Sequence, residues 1–196
     1  MFSHKNGAMA HLKARRAPKP LNEETLNELA LRYVERFATT RAKLGAYLGR
    51  KLRERGWDGA RSADPEAIVE RFAELGYVDD ASYALSKSRS LTGRGYGKQR
   101  VIQAMRAAGV EESDREAARE FADEEAVGAA LRFAEKRRLG PYAIRELTDP
   151  KERQKAIAAM VRAGHGFEVA RTIVCMPPEA DVETINLCER LRFNFR

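Results

Sequence analysis

An interval constrains this chain more than any single residue does: two apolar side chains one helical turn apart, followed by glycine at the same step, occur three times. Leu48 and Leu52 lead to Gly56, Val101 and Met105 to Gly109, and Ala156 and Met160 to Gly164, so the glycines stand 53 and 55 residues apart. A four-residue step places side chains on one face of an α-helix, and a glycine beyond it takes the left-handed conformation that ends the helix. One such run is common in helical proteins, whereas three in register specify a repeat. Each run is followed by a short amphipathic segment: Ile68, Val69 and Phe72, then Ala117, Ala118 and Phe121, then Val169, Ala170 and Ile173. Each is preceded by a longer segment, opened by Ala30-Leu31, Ala84-Leu85 and Ala130-Leu131. The pattern predicts an all-α fold of three tandem three-helix repeats. Such units bury a full core only against their neighbours, so an elongated, curved array is expected.

The segments between these landmarks set the expected organisation. Residues 1–20 end in Pro18 and Pro20 and hold Lys5, Lys13, Arg15, Arg16 and Lys19 without an acid. They bury too little apolar surface to offset ordering and read as a disordered basic arm. Residues 21–78, 79–122 and 123–176 form the three repeats, and 177–196 a C-terminal extension that includes Leu191, Phe193 and Phe195. In the first repeat a helix runs from Asn22 with Leu26, Leu29, Ala30, Tyr33, Val34 and Phe37 on one face. A second helix begins near Thr40, and a third at Asp64-Pro65, an N-cap followed by proline at the first helical position. The third repeat carries an insertion near residues 140–148.

The net charge is +7, from 36 Lys and Arg against 29 Asp and Glu, but five of the bases lie in the arm, so local clusters decide the partner. Cys175 and Cys188 lack the paired spacing of a zinc site, and His4, His11 and His165 are dispersed; no metal and no cofactor are expected. The cysteines read as reduced thiols, and no apolar run approaches the roughly 20 residues that span a bilayer. With no secretory apolar core at the N-terminus, a cytoplasmic, membrane-free protein is expected. No His, Cys or Ser stands in a nucleophile setting, which argues against an enzyme. Asp79-Asp80 precedes a helical pattern and is read as an N-terminal cap rather than a metal-binding pair.

A second feature carries the chemistry. Gly93-Arg94-Gly95-Tyr96-Gly97 lacks the Walker lysine spacing and any preceding strand, and reads as a flexible turn between helices. Around it no Asp or Glu occurs from residue 81 to 110, while Lys87, Arg89, Arg94, Lys98, Arg100 and Arg106 do. An acid-free basic stretch suits phosphates or an acidic protein surface, with an ordinary solvated face as the alternative. Arg89, Arg94, Lys98, Arg100 and Arg106 are the candidate partner-contacting or DNA-contacting residues. Tyr96 is expected to pack on a neighbouring repeat rather than stack on a base.

At these residues the chain resembles the RecX family of recombination regulators. The likeness is carried by Ala30-Leu31-Arg32-Tyr33 with Arg41, Leu44, Leu48 and Leu52, and by Leu75-Gly76-Tyr77-Val78-Asp79-Asp80 with Tyr83-Ala84. It continues through Arg94-Gly95-Tyr96-Gly97, Arg100-Val101-Ile102 and Ala108-Gly109-Val110, covers residues 22 to about 125, and is weaker in the third repeat. Lys98-Gln99 departs from the family, where proline is common after the glycine. The resemblance implies a curved stack of three-helix repeats lying in the groove of a RecA filament on single-stranded DNA. It implies restraint of filament extension, strand exchange, ATP hydrolysis and repressor cleavage, and hence a place in DNA repair and the SOS response. A monomer with weak direct DNA affinity is expected. The competing readings are a DNA-binding module that acts without RecA, a helical nucleotide hydrolase using Asp79 or Asp80, and a repeat scaffold for another protein.

Overall fold

Capping and apolar spacing explain where the helices lie in the computed structural model, which describes residues 19–181. The basic arm, the end of the C-terminal extension and Cys188 therefore fall wholly or largely outside the described residues. Asn22 opens α1 (Glu23–Arg36) with a capping box, its side chain accepting the Thr25 N–H while the Thr25 hydroxyl accepts the Asn22 N–H. Thr40 caps α2 (Arg41–Arg55), and Asp64 with Pro65 starts α3 (Pro65–Glu74) as the sequence predicts. Asp79 caps α4 (Asp80–Gly93) through the Ser82 N–H. Next come α5 (Lys98–Ala107), a 3-10 turn at Ser113–Arg115, and α6 (Glu116–Glu124). After Glu125, α7 (Ala126–Arg137) follows directly, then a 3-10 turn at Gly140–Tyr142, α8 (Pro150–Arg162) and α9 (Phe167–Val174). The described residues are all-α apart from an isolated bridge between Leu21 and Trp57. Among them no helix is long and apolar enough to cross a membrane.

The helices share their apolar faces by threes. Leu26 and Ala30 of α1, Leu44 and Leu48 of α2, and Val69 and Phe72 of α3 are buried in one cluster, which Leu21 and Val78 close. Ala84 and Leu91 of α4, Val101 and Met105 of α5, and Ala118 and Ala122 of α6 form a second. Ala130 and Ala134 of α7, Ala156 and Met160 of α8, and Ala170 and Ile173 of α9 form a third. The first core is built on leucine and phenylalanine, each contributing about 1.5–3 kcal/mol when fully buried; the others rely on alanine and methionine. Alanine lets helix backbones approach closely. Tyr96 packs half-buried against the core of its own group, the outcome of a turn that folds back under α4.

Candidate nucleic-acid and partner interface

The middle helix of each group meets the next one end to end. The Thr40 hydroxyl at the start of α2 donates to the Ala108 carbonyl beyond α5 at 2.6 Å and accepts the Lys43 N–H at 3.2 Å. Beside it the Asp80 carboxylate accepts the Arg41 N–H at 2.9 Å, and the Lys43 ammonium donates to the Tyr83 hydroxyl at 2.5 Å. Gly109 has φ 71°, and a Cβ there would stand 2.3 Å from that of Ala42. One joint further, the N–H groups of Gly97 and Gln99 at the start of α5 donate to the carbonyls of Ala163 and Gly164 beyond α8, at 3.0 and 3.1 Å. At this second joint the orphan carbonyls of α8 satisfy orphan donors of α5 directly, whereas at the first the side chains of Thr40 and Asp80 mediate the contact; at both, the C-terminal end of one helix dipole meets the N-terminal end of the next.

The second joint is closed from the side by α7. Arg132 Nε donates to the Thr92 carbonyl at 3.2 Å and Lys136 Nζ to the Arg94 carbonyl at 3.1 Å, so two cations sit at the C-terminal end of α4, where its dipole favours them. His165 Nε2 donates to the Gly95 carbonyl at 3.0 Å, and its ring meets Phe133 edge-on at 5.5 Å. Burial pushes the imidazole below its usual range, against the opposing pull of the hydrogen bond to Gly95. The glycine-rich turn, expected to be flexible, is instead a fitted surface. A Cβ on Gly97 would lie 2.3 Å from the Gly164 carbonyl atoms, and one on Gly95 would lie 2.9 Å from Phe133 N. These glycines admit the backbone of the third group.

The aspartate pair divides its work. Asp79 accepts the Ser82 N–H at 2.8 Å and the Ser82 hydroxyl at 2.7 Å, bonds that hold its carboxyl below the usual range. Asp80 is buried and caps the helix of the preceding group rather than its own. Burial pushes its carboxyl up, against the lowering effects of the Arg41 N–H and guanidinium. No group of three or more potential metal ligands occurs among the described residues.

The predicted contact residues all lie on α4, α5 and the turn between them, but their charges are not equally available. Arg89 is exposed with its guanidinium 5.6 Å from the Phe121 ring centre, and Arg94 lies at the same distance from Tyr96 while bonding the Ser90 carbonyl. Arg100 reaches Gln103 at 3.4 Å, and Arg106, in the last turn of α5, has no acidic partner among the described residues. Lys98 differs, because Asp123 of α6 holds its ammonium at 2.5 Å. A stretch free of acids in sequence is therefore not free of them in space. Sequence reasoning passed over Lys136 and Arg137, the latter lying over the Phe133 ring at 5.7 Å; the run Lys136-Arg137-Arg138 was the signal available.

The fold and surface define a class, an all-helical protein of end-jointed three-helix groups that presents exposed arginines from its middle group. No protein-family model matches the chain. It is 29% identical over 171 residues to the regulatory protein RecX of Myxococcus xanthus, covering 82% of this chain and 90% of that one. The RecX of Mycobacterium sp. (strain JLS) is 35% identical over 97 residues, 48% of this chain and 51% of the relative. The solved structure of RecX from Lactobacillus salivarius superposes with a TM-score of 0.56 at 17% identity, covering 77% of this chain and 93% of that one. Another, of a regulatory protein RecX, gives 0.55 at 22% identity, with 76% and 71% covered. The chain belongs to the RecX family of regulatory proteins.

Proposed function

We propose that the protein binds the RecA filament on single-stranded DNA and modulates it, mainly by inhibition, as a cytoplasmic monomer that acts without catalysis. The observation that carries this reading is the exposure of Arg89, Arg94, Arg100 and Arg106 on the middle group of an array jointed on both sides. In it, residues 21–78, 79–122 and 123–176 act as stacked units that touch successive protomers, and weak contacts made together multiply. Cations at such a surface steer the encounter with an anionic partner and fix its register. The test is a dose response against RecA ATP hydrolysis at moderate salt, comparing the parent with Arg89, Arg94, Arg100 and Arg106 all changed to Ala. Inhibition should weaken while the melting temperature holds, since solvated charges contribute within about half a kcal/mol to stability. Reversal to Glu should weaken it further. Superimposable curves would place the binding surface elsewhere, and retention on duplex DNA with no effect on RecA would favour a module that acts on DNA alone.

A further inference from the structure

Charge is sorted by helix position in this molecule. The three middle helices, α2, α5 and α8, hold thirteen Lys and Arg against two carboxylates, Glu54 and Glu152, whereas the third helices, α3, α6 and α9, hold eight carboxylates against three bases. A solvated helical surface has no reason to divide its signs in this way. The division matters because the basic helices are the ones that meet end to end, Ala163 and Gly164 of one joint facing Gly97 and Gln99, and Ala108 of the other facing Thr40. Positions equivalent by the glycine interval recur along them: Arg53 and Arg106 on α2 and α5, and Arg100 and Lys155 on α5 and α8. All four are exposed; Arg100 reaches the Gln103 amide, and Arg53 only adds to the field at Glu54, whose ion pairs are with Arg50 and Lys51. The three helices, 15, 10 and 13 residues long, give on the order of 55 Å of contour at about 1.5 Å per residue.

We infer that these helices form one continuous basic track for the sugar-phosphate backbone of a single-stranded nucleic acid. The track names the surface by which the proposed regulator meets DNA and rests on that reading for its setting. Its occupant is a single strand for two reasons. A row one helix wide, interrupted at each joint, suits a flexible chain of phosphates better than a stiff duplex. The position on α2 equivalent to Arg100 and Lys155 is Tyr47, which opens a ladder of rings. Tyr47 stacks on Tyr33 with centres 4.3 Å apart and planes 16° from parallel, and Tyr33 contacts Phe37 at 5.5 Å. Phe37 is 56% exposed at the outer end, while Arg50 and Lys51 lie 5.6 and 5.9 Å from the Tyr47 ring. An unpaired base extends such a ladder on the open face of Phe37, and a paired base has no face to offer.

The experiment is fluorescence anisotropy of labelled oligothymidylates of increasing length with the full chain, at low salt and without RecA. Affinity should rise with length and level off near about ten nucleotides, inside the roughly 4–16 that single-strand sites occupy, and exceed that for duplex of equal length. Arg53→Gln, Arg106→Gln and Lys155→Gln, one on each helix, should each weaken binding about 3–10-fold and lower the slope of log affinity against log salt by about 0.7. Arg71→Gln on α3 should do neither. Phe37→Ala should weaken binding to oligothymidylate but not to an abasic strand of the same length. Equal losses at Arg71 and Arg106, equal affinity for duplex or for polyglutamate, or no dependence on length would each overturn the track. RecA ATP hydrolysis inhibited by a chain that ignores oligonucleotides would overturn the track and leave the regulator. Binding of oligonucleotides without effect on RecA would do the reverse.

Discussion

Asp80 is the first residue of α4, yet its carboxylate caps α2, accepting the N–H of Arg41 at 2.9 Å across 39 residues of sequence. Its neighbour Asp79 caps α4 itself, so adjacent carboxylates sit in opposite environments.

These two groups should respond to acid with opposite sign. The Asp79 carboxyl is lowered in the fold, so its stabilisation is present above the ordinary value of about 3.9 and is lost as pH falls through its folded value. The Asp80 carboxyl is raised, so the fold is best served below the ordinary value, and that advantage is lost as pH rises through the folded value. Relative to the parent, Asp79→Asn should lose its deficit toward acid, and Asp80→Asn should gain as pH rises above about 4. Urea unfolding at a series of pH values reads both. Two differences that vary in parallel would contradict the assignment.

Gly97 separates crowding from backbone strain. Its φ of −82° suits any residue, so Gly97→Ala should destabilise only through collision with Gly164, by about 1–3 kcal/mol. Gly56 has φ 76° and ψ 178°, a region open essentially to glycine alone, with nothing within 4 Å of a new Cβ, so Gly56→Ala should cost about 1–3 kcal/mol through conformation alone. Gly109→Val combines both effects and should cost at least about 1–3 kcal/mol. Thermal unfolding of the three variants should place Gly109→Val lowest; an unchanged melting temperature for Gly97→Ala would mean that the second joint yields.

Asp123 restrains the basic surface by holding Lys98. Asp123→Asn should leave the fold intact, since exposed pairs contribute about 0–1 kcal/mol. The freed ammonium should delay elution from heparin to higher salt, and Lys98→Gln should advance it less than Arg106→Gln does. Unchanged elution of Asp123→Asn would show that Lys98 takes no part.

His165 should make the second joint sensitive to mild acid. Because the folded imidazole is lowered, the unfolded chain takes up the proton first, and stability should fall as pH drops below about 6.5 toward the folded value. His165→Gln, which can still donate to the Gly95 carbonyl, should flatten that part of the profile. The comparison needs only melting temperatures between about pH 5 and 7.5. A variant as steep as the parent would assign the sensitivity to other groups.

The all-helical character and the helix ends were legible because they rest on spacing. Apolar steps ending at Gly56, Gly109 and Gly164 fix where helices stop, and each helix group closes over side chains that announce themselves by type. The joints were not legible. Gly97 and Gln99 bond carbonyls of Ala163 and Gly164, and a carbonyl belongs to every residue, so composition carries no trace of the pairing. Lys98 and Asp123 lie 25 residues apart on different helices, which is why the basic stretch looked freer than it is. Asp79 and Asp80 were rightly read as caps, but the helix that Asp80 caps lies behind it in the chain.

The two joints place different demands on inheritance. The first needs a hydroxyl at Thr40 and an acceptor oxygen on the side chain of residue 80, so few letters serve at either position. The second is written in peptide groups and admits almost any letter, provided that Gly97 and Gly164 remain small and the interval between them is kept. A group joined through its peptide backbone leaves its side chains free of the joint's demands, so the contact that seats the third group beside the second carries no signature in residue type.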